Sequence, residues 1–347
     1  MRWQHALRGI KLCGEGGLGW LRTSLGLTLS CAQALAGQCD EATATLQDLR
    51  THVGPSLRIL CGSIETYQAL VHLQSGQLDA ARRSLDQAMQ LRSVTTYPWG
   101  PGWNRPGVAR VVAFALQEGR HVPAMQRIAQ RLRLAPPSPD VEHWPWAVRI
   151  KVLDGFSLHL GPSGTGSEAQ RAAVGKAPHR LLELLKALSA LGGNAVPADV
   201  LAETVWPDSD GDQARRSLDT GLSRLRKLLQ CDDAVTVHDG KVSLHPHRVS
   251  LDLRAFEHQR QQMREARRGS EPWLRAAQRA LTLYRQPLLA GERDAPWLID
   301  LRSATRQRWL EVARSVVEQC ERDNDPLAVR RVSNDAALID ADALRKA

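Results

Sequence analysis

The chain lacks any C-x-x-C pair. Its six cysteines (Cys13, Cys31, Cys39, Cys61, Cys231 and Cys320) lie scattered through 347 residues with no metal-ligand spacing. That scatter excludes a zinc ribbon, a dithiol redox motif and a disulfide-stapled small domain. It fits free thiols in a reducing compartment, and the expected location is the cytoplasm. Catalytic signatures are equally scarce. No Ser, Cys or His sits in a recognisable nucleophile motif. His238, His245 and His247 fall on one stretch but lack a carboxylate or thiolate at ligand spacing, so no metal is expected there. The run Gly14-Glu15-Gly16-Gly17-Leu18-Gly19 imitates a phosphate loop, yet no Lys-Ser/Thr follows it and no strand precedes it. No phosphoacceptor receiver domain or ATPase module is recognisable, which leaves phosphorylation unsupported as a switch. The reading is a non-enzyme without a cofactor.

What is present is ordinary globular composition, with 43% hydrophobic and 24% charged residues. These values suggest neither wholesale disorder nor an integral membrane protein. The length allows two or three domains, each with its own core. Near the amino end, Arg2, Arg8 and Lys11 precede an apolar stretch ending in Ala34-Leu35-Ala36, which superficially resembles a signal peptide. Arg22 and several glycines interrupt it, and the same stretch fits the first helix pair of a repeat. The helical reading is preferred.

The formal charge is +9, but its distribution matters more than its sum. Met1 to Ala147 carries 15 Lys+Arg against 10 Asp+Glu, Val148 to Val249 carries 13 against 12, and Ser250 to Ala347 carries 18 against 15. Any nucleic-acid affinity of the nearly neutral middle segment must therefore come from a few cations gathered on one face.

Periodicity divides the chain into residues 1–139, 147–249 and 250–347. The first region is helical by pattern and holds a diverged repeat. GQCDEATATL from Gly37 and GQLDAARRSL from Gly76 share the frame G-Q-x-D-x-A-x-x-x-L, and GRHVPAMQRI from Gly119 keeps the Gly, Ala124 and an apolar Ile128. Spacings of 39 and 43 residues fit helix-turn-helix units, with Gly for the tight turn and Ala for close helix approach. An ordinary helical bundle is the alternative. Either arrangement offers a concave surface for a protein or small-molecule effector. Leu134 to Trp146 contains four prolines, which force an extended connection.

Beyond the prolines the period changes to two. Val148 to Leu160 alternates around Asp154-Gly155, reading as a hairpin or two short strands. Three helical segments follow. The first, within Ala177 to Trp206, carries Leu181, Leu184, Leu185 and Leu188 and breaks at Gly192-Gly193-Asn194. The second, from Pro197, turns Val200, Leu201 and Val205 inward. The third is Gln213 to Gln230. At 100° per residue, its Ala214, Leu218, Leu222, Leu225 and Leu229 fall in a stripe about 80° wide. Its opposite face holds Gln213, Arg216, Thr220, Ser223, Arg224 and Lys227, with Arg215 and Arg226 on a flank. Asp208, Asp210 and Asp212 crowd the helix start, where carboxylates cap and oppose the dipole, and Asp219 lies within the helix. Ala234 to His245 reads as two strands joined through Asp239-Gly240, a strong hairpin signal. Strands, three helices and a hairpin are the order of a winged helix, in which the third helix enters the major groove and the hairpin meets the adjacent backbone.

LLELLKALSALGGNAVPADVLAETVWPDSD, ARRSLDTGLSRLRKLL and VTVHDGKVSL together resemble the OmpR/PhoB-type winged helix of antibiotic-regulatory-protein (SARP-type) activators. The distinctive tracts are Val205-Trp206-Pro207-Asp208 and Ser223-Arg224-Leu225-Arg226. The resemblance covers about a hundred residues and implies double-stranded DNA contacts from Arg215, Arg216, Thr220, Ser223, Arg224 and Lys227, with Lys241 on the wing. In the carboxyl region Leu253, Phe256, Leu274, Ala277, Ala280, Leu281 and Tyr284 recur at helical steps. Leu281 to Val316 resembles the bacterial transcriptional activator domain that follows the winged helix in those regulators, with Trp273, Trp297 and Trp309 read as core. The first region resembles a tetratricopeptide-like array.

The expected fold is thus mostly α, with tetratricopeptide-like helical repeats flanking an α+β winged-helix DNA-binding domain. The expected function is sequence-specific transcription regulation. The resemblance implies activation by recruiting RNA polymerase, self-association as a homodimer, and no membrane partner. The rival reading is a helical-repeat adaptor whose winged helix docks on protein.

Overall fold

The computed structural model describes residues 8–12, 19–91, 104–161 and 178–339. Cys13, the glycine run from Gly14 to Leu18, and Ala177 lie outside them. The described residues are mostly helical with two small sheets, and the chain divides into two compact units: Met1–Pro137 with Val141–Trp144, and Ser138–Asp140 with Pro145–Ala347.

In the first unit the repeated glycines set the turns. Gly37, Gly76 and Gly119 adopt φ of 81°, 72° and 66°, and each closes one helix and opens the next. At each turn the glycine N–H and the N–H that follows it bond back onto the preceding helix. Gly76 reaches the Leu73 carbonyl at 3.2 Å and Gln77 the His72 carbonyl at 2.8 Å, and Gly37–Gln38 and Gly119–Arg120 repeat the pattern. This two-bond cap satisfies carbonyls that a helix end would leave unpaired. Three helix pairs result: α1 (Gly19–Leu35) with α2 (Cys39–His52), α3 (Arg58–Gln74) with α4 (Leu78–Leu91), and α5 (Arg105–Gln117) with α6 (Val122–Arg131). Ala42 and Ala81 of the repeat frame are buried, as are Leu46, Leu85 and Ile128 at its end, whereas Ala124 is only half-buried. The apolar stretch ending at Ala36 forms α1, and its Leu27, Leu29, Cys31 and Ala34 are buried.

The second unit begins with β1 (Val148–Lys151) and β2 (Ser157–Leu160), an antiparallel pair in the register Val148↔Leu160. A third strand, Val249–Leu251, pairs parallel to β1 through Ile150↔Leu251. Between them lie α7 (His179–Ala190), β3 (Val196–Pro197), α8 (Ala198–Val205), α9 (Gly211–Leu229), β4 (Val235–His238) and β5 (Lys241–Leu244), which makes Val249–Leu251 strand β6. Strands β4 and β5 join through Asp239 and Gly240, both at positive φ (48° and 68°), the backbone a two-residue hairpin turn requires. β3 completes a small sheet in the order β3-β5-β4.

One inward assignment in this segment is corrected. Val200 is 45% exposed. In the short helix α8 the buried positions are Ala198, Leu201, Ala202 and Val205, the i, i+3, i+4, i+7 set, and Val200 lies about 200° around from Ala198.

The carboxyl segment comprises α10 (Asp252–Glu265), α11 (Glu271–Leu283), α12 (Pro296–Arg322) and α13 (Pro326–Ile339). Leu253, Phe256, Ala277, Ala280 and Tyr284 are buried, as are Trp273 and Trp309, while Trp297 and Leu281 are half-buried against the same core. Leu274 departs from expectation at 41% exposed. Trp273 takes the inward direction with Ala276 and Ala280, which turns the adjacent Leu274 about 100° away. One hydrophobic core runs from Val148 to Ala336, so the segments read as 147–249 and 250–347 share an interior. No described helix is long and apolar enough to cross a membrane.

Two polar side chains at the start of α10 fasten that shared interior. The Asp252 carboxylate accepts from the backbone N–H of Val152 (2.9 Å), Leu153 (2.9 Å) and Leu253 (2.8 Å). The Arg254 guanidinium donates to the carbonyls of Gly192 (3.2 Å), Gly193 and Leu244 (2.7 Å), joining α10 to the α7–β3 turn and to β5. Burial pushes the Asp252 carboxyl up to about 6, against the downward pull of its backbone donors and Lys151. Its folded value therefore lies above the unfolded value of about 4. The contribution to stability is complete below about pH 4 and fades as the pH rises through 6. In denaturant melts, the stability of the native chain relative to Asp252→Asn should fall between pH 4 and pH 6.5. A difference that stays constant across that window contradicts this assignment.

Candidate nucleic-acid interface

Helix α9 is positioned by its own alternation of leucine and charge. The Asp210 side chain caps it by accepting from the Gln213 N–H at 2.7 Å, and Asp212 adds negative charge to the first turn. The capping reading of these acids therefore holds for Asp210. Gln230, at φ 52°, ends the helix. Ala214, Leu218, Leu222, Leu225 and Leu229 are all buried. Gly221 lies against α7, where an added Cβ would come within 2.9 Å of Leu184 Cδ2, so a larger residue there would force Leu184 to shift.

The opposite face is open. Arg216, Thr220, Ser223, Arg224 and Lys227 are exposed, and none is held by an ion pair or hydrogen bond to another described residue. Arg215 is half-buried and spans to α8, where it pairs with Asp199 at 2.6 Å. This pair is largely solvent-exposed, and such pairs stabilise by at most about 1 kcal/mol. Arg215 can therefore be drawn to another anion at little cost. Lys241 is exposed at the start of β5, opposite His238 and beside the hairpin turn. The structure thus brings six of the seven expected site residues onto one helix and places the seventh on the neighbouring hairpin.

Arg226 has a different role from its neighbours. Its Nε donates to the Val235 carbonyl at 2.8 Å, which ties the carboxyl half of α9 to β4. Helix and hairpin are held in a fixed relation, a requirement for any surface that uses both.

Arg180 was not singled out from the sequence. It stands one step off the buried stripe of α7 and lines a cleft of about 380 Å³ together with Trp206, Arg216, Thr220 and Arg224. Its guanidinium donates to Glu183 at 3.0 Å and to the Val205 carbonyl at 3.1 Å, yet its side chain remains mostly exposed. The available signal was its flank position beside Leu181, but proximity to α9 is a tertiary fact that helical periodicity cannot supply. Asp219 is exposed on α9 as the lone carboxylate beyond the helix's first turn.

The three histidines do not assemble a metal site. His245 and His247 meet edge to face with ring centroids 5.6 Å apart, while His238 stands at the hairpin beside Asp239. Among the described residues no three His, Cys, Asp or Glu side chains are grouped to hold a metal ion. No family model, curated protein or solved structure matches the chain.

The two faces of α9 should respond oppositely to truncation. Leu222→Ala is expected to cost about 2–5 kcal/mol in urea unfolding. The double variant Arg216→Ala/Arg224→Ala should stay within about 0.5 kcal/mol of the native chain, as surface changes do. Comparable losses in both would mean that the arginines hold the fold.

Proposed function

We propose that the chain is a sequence-specific DNA-binding transcription regulator of the OmpR/PhoB-type winged-helix kind, with α9 as the recognition helix and the β4–β5 hairpin as the wing. One observation carries this reading: the exposed face of α9 presents Arg216, Arg224 and Lys227 without protein partners, opposite an unbroken buried stripe. From Arg216 to Lys227 the helix rises about 16 Å, enough to follow several base pairs along a major groove. Arginine and lysine there suit guanine edges and phosphates, while Thr220 and Ser223 add short hydrogen-bonding groups between them. Lys241 and Arg180 extend the cationic surface to either side. This concentration of exposed cations supports DNA binding despite the near-neutral charge of the segment as a whole.

The resemblance to SARP-type activators adds the rest. The carboxyl helices correspond to the bacterial transcriptional activator domain and the amino-terminal pairs to a tetratricopeptide-like array. In this reading the chain works in the cytoplasm, recruits RNA polymerase, associates with a second copy and receives an effector on its repeats. It is not an enzyme.

Selection from a genomic fragment library followed by anisotropy titration tests the proposal. Specific fragments should be retained, with log affinity falling against log salt at a slope of about −3.6 as Arg216, Arg224, Lys227 and Lys241 each neutralise one phosphate. Lys227→Ala should lower that slope by about 1 on all sequences, whereas Arg216→Ala or Arg224→Ala should also cost about 1–3 kcal/mol of discrimination at one base position. No retention of any duplex at low salt would favour the adaptor, whose helix docks on protein.

A further inference from the structure

The helices of the carboxyl segment line a partly open cavity of about 690 Å³ between α11, α12 and α13. Its volume lies within the range of sites that hold small organic ligands. The walls are largely apolar, built from Ala277 and Leu281 on α11, Val316 on α12 and Val332 on α13. Leu274, turned outward beside the inward Trp273, lies in the same wall.

Two aromatic side chains in the lining make the cavity unusual. Tyr284 and Trp309 are each 1% exposed, with rings 6.0 Å apart. Neither the Tyr284 hydroxyl nor the Trp309 indole N–H has a hydrogen-bond partner, although both atoms are cut off from solvent. A buried donor left unmet carries a desolvation cost that a hydrophobic residue in its place would avoid. Burial also pushes the Tyr284 phenol up to about 12, which keeps it a neutral donor at physiological pH. Arg285 and Arg331 lie in the lining and are exposed, with no ion pair or hydrogen bond to another described residue, and Asp335 is the lone acid beside them.

We propose that this cavity is a binding site for a small amphipathic organic acid. Its aromatic or aliphatic body packs against the apolar walls, and its anionic group faces Arg285 and Arg331. The inference is independent of the DNA-binding proposal, since no residue of α9 takes part.

The full chain is titrated with 8-anilinonaphthalene-1-sulfonate, followed by fluorescence, and the bound dye is then challenged with decanoate or with decan-1-ol. The expected result is one saturable dye per chain, displaced at least tenfold more readily by decanoate than by the alcohol. Ala328→Trp fills the cavity from half-exposed α13 and should reduce dye affinity at least tenfold while melting at the native temperature. Tyr284→Phe removes an unpartnered hydroxyl, so it should fold with unchanged or higher melting temperature. Arg331→Ala should narrow the gap between decanoate and decan-1-ol. Equal dye binding by the native chain and folded Ala328→Trp would overturn the site, as would an unchanged preference for decanoate over decan-1-ol in Arg331→Ala. Binding that appears only after residues 340–347 are removed would show that the chain's own end fills the cavity, and would also overturn it.

Discussion

The leucine stripe of α9 is the constraint on which the candidate interface depends. Leu218 and Leu225 are fully buried and Leu222 and Leu229 nearly so, which fixes the rotation of the helix about its axis. With 3.6 residues per turn, fixing one face fixes the other. The arginines are exposed because the leucines have no alternative but the core, and no polar contact is needed to hold them outward. Gly221 brings the helix close to α7, and Arg226 locks its far end to β4. The cationic face is therefore a rigid surface whose side chains alone are free.

That surface stands on a core continuous with the carboxyl helices. Asp252 and Arg254 collect backbone groups from β1, the turn after α7 and β5, positions far apart in sequence. Arg302 acts similarly on the carbonyls of Leu288 (2.8 Å), Leu289 (2.8 Å) and Glu292 (3.1 Å), and the Leu289 N–H in turn reaches the Val152 carbonyl at 2.7 Å. Lys186 of α7 adds an ion pair to Glu292 at 2.6 Å. Such groups suit the joining of irregular segments, because a loop entering a core brings carbonyls and amides that must be met. The carboxyl helices and the helices that carry the candidate interface therefore pack on one interior.

The parts legible in the sequence were those governed by local periodicity. The α9 stripe, the Asp239-Gly240 turn, the breaks at Gly192-Gly193 and the recurring glycines at 37, 76 and 119 each follow from spacing or from backbone freedom at a named residue. Val200 and Leu274 were misread because an apolar residue adjacent to the true stripe looks inward whenever the phase of a short helix is uncertain by one position. Arg215, Arg226 and Arg180 shared a cationic appearance in the sequence. Only tertiary neighbours separate the arginine paired with Asp199, the one bonded to β4 and the one contributed from α7. The cavity beside Trp309 was invisible for the same reason: its walls come from three helices, and Trp309 reads as core from sequence alone.

The central claim is that the exposed face of α9 lies in a DNA groove, and the most direct test is photocrosslinking from a benzophenone side chain placed at position 220. With a selected fragment bound, the account predicts a crosslink to bases within one short stretch of duplex, lost when a buried-face or amino-terminal position carries the probe instead. DNA retained without any crosslink from position 220, or crosslinks from that position to protein alone, would contradict it.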